Sequence, residues 1–68
     1  MHILKINGKE KQFDQLPSTL LDLLDQMQIN QATVVAEIDG DIIERSKFTE
    51  TKLNHGQSVE LIRFVGGG

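Results

Sequence analysis

Apolar and polar residues along the chain fall into short blocks separated by turn residues. The first block, residues 1–6, has the length and composition of a β-strand and ends at Asn7-Gly8. Asn-Gly is a strong hairpin signal because both residues tolerate a positive φ. We therefore expect residues 9–13 to form the returning arm, with Phe13 as its apolar anchor.

The two faces of the first strand differ in polarity. Leu4 and Ile6 share one face, whereas Ile3 shares the other face with Lys5. Because burying a lysine is costly, Leu4 and Ile6 are predicted to face the core. Ile3 would then lie on the outer surface of the sheet.

Residues 20–28 have the pattern of an amphipathic helix. Apolar side chains recur three and four residues apart, at Leu20, Leu23, Leu24 and Met27. Ser18 or Thr19 is expected to cap the helix, and Thr19 with Asp22 resembles a capping box that has Asp in place of Glu or Gln. The helix is expected to stop near residues 28–30, with Asn30 as the candidate left-handed terminator.

Further strands are predicted in the C-terminal half. Residues 33–39 alternate in the manner of a half-buried strand, and Asp39-Gly40 predicts a second hairpin turn to a short returning arm. The segment that follows, residues 45–53, is polar and irregular. Phe48 and Leu53 within it are expected to fill the edge of the core.

The final strand carries a candidate interaction surface. If Val59 and Leu61 enter the core, Ile62 and Phe64 lie on the opposite face and are exposed. Ile3 would extend this group if the final strand lies beside the first. A contiguous exposed apolar group usually marks an interface. The alternatives are a shifted register or a loop that covers these residues.

The order of elements predicts an α+β domain: a hairpin, one helix, and two or three strands ending in residues 58–65. Such a chain covers one face of a mixed sheet with its helix. The final strand is too far from the first strand to pair through a hairpin, and it most simply lies beside it. We expect one domain over residues 1–65 and a flexible glycine tail over residues 66–68.

Composition argues against several function classes. The 68 residues carry a net charge of −3, which disfavours nucleic-acid binding, and include no cysteine for a disulfide, thiolate site or catalytic thiol. His2 and His55 are far apart in the sequence, so no metal site is expected. No membrane span or signal peptide is visible, which makes the cytoplasm the expected location. The carboxylates show no catalytic spacing, so we expect no enzyme activity from the chain alone.

The C-terminal residues suggest a different chemistry. The final strand leads directly into Gly66, Gly67 and Gly68. A terminal glycine run is often only a loose or cloned end. However, glycine also suits close approach to a partner, and three extended residues reach about 10 Å. Its position directly after a strand favours a tail that carries the terminal carboxylate into the active site of another protein.

A terminal carboxylate of this kind can be activated by ATP. An α-carboxyl group titrates near about 3.3–3.7, so it is ionised at neutral pH. It can attack the α-phosphate of ATP to form an acyl-adenylate. A sulfur nucleophile that displaces AMP would leave a thiocarboxylate on Gly68, whereas an amine would give an amide. A partner enzyme would have to hold ATP and Mg²⁺.

Five stretches resemble a known family, and the last one is the most specific. They are Asn7-Gly8-Lys9 and residues 19–24, 35–40, 42–45 and 59–68. Together they resemble the ubiquitin-like β-grasp sulfur carriers, and most closely the ThiS family of thiamine biosynthesis. The chain departs from the family pattern near Phe48, where tryptophan is frequent, and at residues 55–57, where Asp-Gly-Asp is frequent. Both departures concern residues with an expected structural role, so neither affects the carrier chemistry.

The resemblance implies a set of partners and site residues. A ThiF-like adenylyltransferase would activate Gly68 with ATP and Mg²⁺, sulfur would come from cysteine through a desulfurase, and a ThiG-like thiazole synthase would consume it. No bound cofactor is implied. Gly66 and Gly67 would thread the channels of the partners. The partner-binding face would comprise Ile3, Ile62, Phe64 and Val65.

Three other functions are consistent with the same features. A molybdopterin-synthase small subunit, or a sulfur carrier for another pathway, would share the fold and the Gly-Gly end. A ubiquitin-like modifier attached to lysines would end in the same way, and a plain interaction module would carry inert glycines. The short length and the Phe-Val-Gly-Gly-Gly ending favour the thiamine branch.

Overall fold

A computed structural model describes residues 1–64 of the chain. The strands and the helix are β1 (His2–Ile6), β2 (Lys9–Phe13), α1 (Leu20–Gln26), β3 (Val34–Ile38), β4 (Asp41–Ile43) and β5 (Ser58–Arg63). Two short 3-10 helices span Gln31–Thr33 and Arg45–Lys47. The expectations for Val65 and for residues 66–68, including the domain end and the flexible tail, lie outside the described residues.

The strands form one mixed sheet in the order β2-β1-β5-β3-β4. The final strand β5 lies at the centre, parallel to β1 and antiparallel to β3. Ile6 of β1 lies opposite Val59 of β5, and Val35 of β3 lies opposite Ile62. The predicted α+β fold and the predicted neighbourhood of the first and final strands are therefore confirmed.

Both predicted hairpin turns are present. Asn7 and Gly8 have φ values of 51° and 83°, and Asp39 and Gly40 have φ values of 50° and 89°. Two successive residues with positive φ match the right-handed twist of the strands that they join. Each turn fixes the register of its hairpin, so that Ile6 lies opposite Lys9.

The core fills the space between α1 and one face of the sheet. Its buried residues are Leu4, Ile6, Phe13, Leu20, Leu23, Leu24, Ile29, Val34, Ala36, Ile38, Phe48, Leu53, Val59 and Leu61. Leu4 and Ile6 face inward as predicted, and so do Phe48 and Leu53 from the irregular segment. Full burial of a side chain such as Phe48 contributes about 1.5–3 kcal/mol, so these residues determine which face of each strand points inward.

The helix begins where the sequence indicates. Thr19 is the N-cap, and its Oγ1 accepts a hydrogen bond from the N–H of Asp22 at 3.2 Å. α1 is seven residues long. Within residues 1–64, no helix has the length and apolar character needed to cross a bilayer.

The prediction that Asn30 is the left-handed residue that ends the helix is wrong. The left-handed residue is Gln28, with φ 59°, and not Asn30. The N–H of Gln28 donates to Asp25 O at 3.1 Å and that of Ile29 donates to Leu24 O at 2.9 Å, which is the Schellman arrangement. The chain reverses this early because Ile29 returns to the core.

Candidate partner-docking site

The outer face of the sheet carries an exposed apolar group, which we call the outer patch: Val35, Ile42, Ile62 and Phe64. Ile62 is 54 % exposed, Phe64 46 % and Ile42 68 %, and Val35 is half-buried directly opposite Ile62. The helix covers only the other face, and the strand alternation leaves these side chains outside. The predicted exposure of Ile62 and Phe64 is therefore confirmed, and a group of this kind is typical of an interface.

Ile42 was missed by the sequence analysis, although the hairpin turn contained the necessary signal. A two-residue turn at Asp39-Gly40 places Ile42 opposite Glu37 and Ile43 opposite buried Ala36. Ile43 must then face inward and Ile42 outward. Ile42 is a diagonal neighbour of Val35, a separation within reach of large side chains.

The structure does not bring Ile3 to the outer patch. Lys5 lies opposite Ser58 in the parallel pairing, and the N–H of Gly56 donates to Ile3 O at 2.7 Å. Ile62 lies six residues beyond Gly56, which corresponds to about 20 Å along an extended strand. The expectation that Ile3 extends the patch is therefore wrong, because neighbouring strands share side-chain contacts only where their register matches.

Carboxylates lie beside the outer patch. Glu37 lies directly opposite Glu60 in the β3–β5 register, with Ile42 on its other side. Glu60 is exposed and Glu37 is half-buried. The patch therefore has two carboxylates on one side of its apolar centre, which suits a partner surface that carries basic residues at that side.

The origin of the tail is fixed by a backbone hydrogen bond. The N–H of Phe64 donates to Thr33 O at 3.1 Å. The two preceding carbonyl groups, of Gln31 and Ala32, accept from Arg45, from Nε at 3.0 Å and from Nη2 at 3.3 Å. The chain thus reaches residue 65 from a point that is held against the 3-10 helix Gln31–Thr33.

The two histidines meet at the other end of the sheet, although they are far apart in the sequence. The ring centroids of His2 and His55 lie 6.2 Å apart in an edge-to-face arrangement. His55 Nδ1 accepts from the N–H of Ile3 at 2.9 Å, so this ring ties its turn to β1. Across residues 1–64, no group of three or more His, Cys, Asp or Glu side chains could hold a metal ion.

A mixed five-stranded sheet with one helix on its inner face defines a ubiquitin-like β-grasp protein, here with an exposed apolar patch on the outer face. The sequence also matches a family model. The chain belongs to the ThiS family, whose model matches residues 4–68. The resemblance identified from the sequence and the β-grasp fold are both confirmed.

Individual similar proteins support this membership. The sulfur carrier protein ThiS of Bacillus subtilis is 32 % identical over 66 residues, which cover 97 % of this chain and all of that protein. A crystal structure of the thiamine biosynthesis protein ThiS of Geobacter metallireducens superposes with a TM-score of 0.82 at 34 % identity, covering 97 % of this chain and 99 % of that one. A solution structure of a thiamine biosynthesis protein from the same organism gives 0.78 at 36 % identity, covering 100 % and 88 % of the two chains.

Another relative is much longer than this chain. A protein named thiazole synthase in Paramagnetospirillum magneticum is 31 % identical over 65 residues. The match covers 96 % of this chain but only 20 % of that protein. One segment of that protein therefore resembles this whole chain, and about four fifths of its length lies outside the similarity.

Proposed function

We propose that this chain is a sulfur carrier of thiamine biosynthesis, and that its terminal carboxylate on Gly68 is the sulfur-bearing group. The observation that carries the proposal is the ThiS family match over residues 4–68, which includes the glycine tail. The Bacillus subtilis relative, which is matched over its whole length, bears the name of a sulfur carrier. The outer patch, which includes Phe64, is a surface that a partner can bind while its active site acts on the tail.

The chemistry has two balanced steps. A carboxylate oxygen of Gly68 attacks the α-phosphorus of ATP and releases pyrophosphate, which gives an acyl-adenylate. A sulfur nucleophile at the oxidation level of sulfide then adds to the acyl carbon and expels AMP, leaving a thiocarboxylate. A partner adenylyltransferase of the ThiF type holds ATP and Mg²⁺, and the chain contributes delivery and positioning of its carboxylate. The chain itself needs no bound cofactor and catalyses neither step.

The thiocarboxylate is consumed by a thiazole synthase of the ThiG type. The Paramagnetospirillum magneticum protein of that name contains a segment similar to this chain, and proteins that work together are often joined in one polypeptide. Sulfur enters from cysteine through a desulfurase. ATP-dependent activation of this kind fits a cytoplasmic protein.

The outer patch binds these partners. The four residues from Val65 to Gly68 reach about 14 Å at most when extended, so an enzyme that acts on Gly68 must come close to Phe64. Ile62, Phe64, Ile42 and Val35 form the apolar surface nearest to that point. Gly66 and Gly67 lack a Cβ and suit passage through a narrow channel.

The test is the intact mass of the chain after incubation with a ThiF-like adenylyltransferase, MgATP and a sulfide source. We expect a mass increase equal to the replacement of one oxygen by sulfur, localised to Gly68 by fragmentation. A chain that lacks Gly67 and Gly68 is the matched control and should keep its mass. An unchanged mass with an enzyme that is active on its own carrier would overturn the proposal. Stimulation of thiazole formation by the sulfur-loaded chain then identifies the pathway.

A further inference from the structure

The 3-10 helix Gln31–Thr33 has an unusual distribution of hydrogen bonds. Each of its three carbonyl groups accepts from a residue distant in sequence. Arg45 donates to Gln31 O and Ala32 O, and the N–H of Phe64 donates to Thr33 O. This short helix therefore joins the segment after β4 to the last described residue of the chain.

The guanidinium group is suited to holding two neighbouring carbonyls. Its N–H groups form a rigid planar fork, and hydrogen bonds from a charged donor are stronger than those from a neutral one. The other side of the helix is held by Asn30, whose Oδ1 accepts from Ala32 N at 2.9 Å and whose carbonyl accepts from Thr33 Oγ1 at 3.0 Å. Arg45 and Asn30 thus hold, from two sides, the short segment that leads to the carbonyl of Thr33.

The N–H of Phe64 bonds to that carbonyl at a point where β1 no longer pairs with β5. Within the described residues, β5 pairs with β1 only as far as Val59, opposite Ile6. On the β3 side, the pairing continues to Arg63 opposite Val34, followed by the bond from Phe64 N to Thr33 O. On the β1 side, the Asn7 side chain holds the backbone of Leu61, and beyond Leu61 the described end of the strand is held by the β3 side.

We propose that Arg45 is a positioning residue for the terminal carboxylate, acting through the carbonyls of Gln31 and Ala32 and the N–H of Phe64. This inference rests on the sulfur-carrier function proposed above. Loss of the guanidinium fork releases the short helix, and the start of the tail is then no longer fixed relative to the docked domain. The outer patch still binds the adenylyltransferase, but the carboxylate reaches ATP in a productive geometry less often.

The test compares Arg45→Gln, Arg45→Lys and a matched control, Lys47→Gln. Lys47 is exposed and lies in the same turn as Arg45, and its side chain makes no hydrogen bond in the described part of the chain. Amide hydrogen exchange is measured at Phe64 and Leu61 by NMR. Adenylation by a ThiF-like enzyme with MgATP is measured as kcat and as KM for the carrier.

We expect Arg45→Gln to raise exchange at Phe64 about tenfold with exchange at Leu61 unchanged, and to lower kcat about tenfold with KM within about twofold. Arg45→Lys should fall between Arg45→Gln and the unchanged chain, because an ammonium group can replace one of the two donations. Lys47→Gln should match the unchanged chain in both measurements.

Three results would overturn the inference. Exchange at Phe64 could stay unchanged, which would break the link to Arg45. Exchange at Phe64 and Leu61 could rise together, which would show a general loss of stability. KM could rise at constant kcat, which would show that Arg45 acts on docking, directly or through Phe64, and not on the positioning of the carboxylate. A carrier that is not adenylated at all overturns the proposed function instead, and the exchange measurement still decides the link from Arg45 to Phe64.

Discussion

The side-chain amide of Asn7 binds both backbone groups of Leu61. Asn7 Oδ1 accepts from Leu61 N at 2.7 Å, and Nδ2 donates to Leu61 O at 3.3 Å. The N–H of Asn7 also donates to Val59 O at 2.9 Å. The turn residue therefore imitates a strand neighbour and extends the hydrogen bonding of β5 beyond the end of β1.

Replacing Asn7 by glycine separates the two roles of this residue. Glycine keeps the positive φ of the turn but removes both hydrogen bonds to Leu61, so Asn7→Gly should lower the free energy of unfolding by about 1–2 kcal/mol. The measurement is urea denaturation followed by circular dichroism. Gly8→Asn at the neighbouring turn position keeps the Asn7 side chain and should cost less, because asparagine tolerates a positive φ. Equal stability of Asn7→Gly and the unchanged chain would contradict this account.

The left-handed residue at the end of α1 predicts a substitution that increases the free energy of unfolding. Gln28 is exposed and adopts φ 59°, a conformation that costs an L-residue about 1–2 kcal/mol. Gln28→Gly should therefore raise the free energy of unfolding, by less than that amount because glycine also gains entropy in the unfolded chain.

Asn30→Gly is the matched control for Gln28→Gly. It should destabilise the chain, because the Asn30 side chain caps the helix Gln31–Thr33. Thermal unfolding of the two variants checks both signs, and a more stable Asn30→Gly would refute the capping role of the Asn30 side chain.

The carboxylates of Glu37 and Glu60 provide an electrostatic test of the sheet. Like charges directly opposite in a sheet are destabilising, and cross-strand pairs contribute about 0.2–1 kcal/mol. Glu60→Lys should increase the free energy of unfolding by an amount in this range, and the gain should shrink at high salt. Glu10→Lys should decrease the free energy of unfolding, because Glu10 lies opposite Lys5. If both variants shift stability in the same direction, the β3–β5 register is not what determines the effect.

The outer patch predicts which substitutions separate binding from folding. Phe64→Ser and Ile42→Ser should each weaken binding to a ThiF-like adenylyltransferase about tenfold, since buried apolar anchors dominate interface energies. Both side chains are exposed, so the circular dichroism spectrum should not change. Ile3→Ser is the control on the same face of the sheet at its far end, and isothermal titration should find its affinity unchanged. Unfolding of Phe64→Ser, or equal loss of binding in Ile3→Ser, would refute this assignment of the surface.

Much of the fold follows from local sequence signals. Two hairpin turns with positive-φ dipeptides set two registers, and a lysine at position 5 leaves only one acceptable inner face for β1. The regular spacing of leucines defines α1, and Thr19 defines its start. These elements depend on residues close in sequence, which is why a single chain is sufficient to predict them.

The remaining features depend on contacts between distant segments. No turn connects β1 to β5, so no local pattern specifies that Ile3 lies far from Ile62. Left-handed positions at helix ends favour glycine or asparagine over glutamine. The burial of Ile29 outweighs this preference and places Gln28 there. The double donation from Arg45 is visible only once β4 and the segment before β3 have been brought together.

The parallel course of β1 and β5 separates the two ends of the described chain. Phe64 lies eight residues beyond the level of Gly56, which is bonded to Ile3, and this corresponds to about 26 Å of extended strand. A fluorophore, an affinity handle or a surface linker attached ahead of His2 therefore lies at the end of the sheet opposite to Phe64. The molecule can be immobilised or labelled at that end while the outer patch around Phe64 stays accessible to an enzyme in solution.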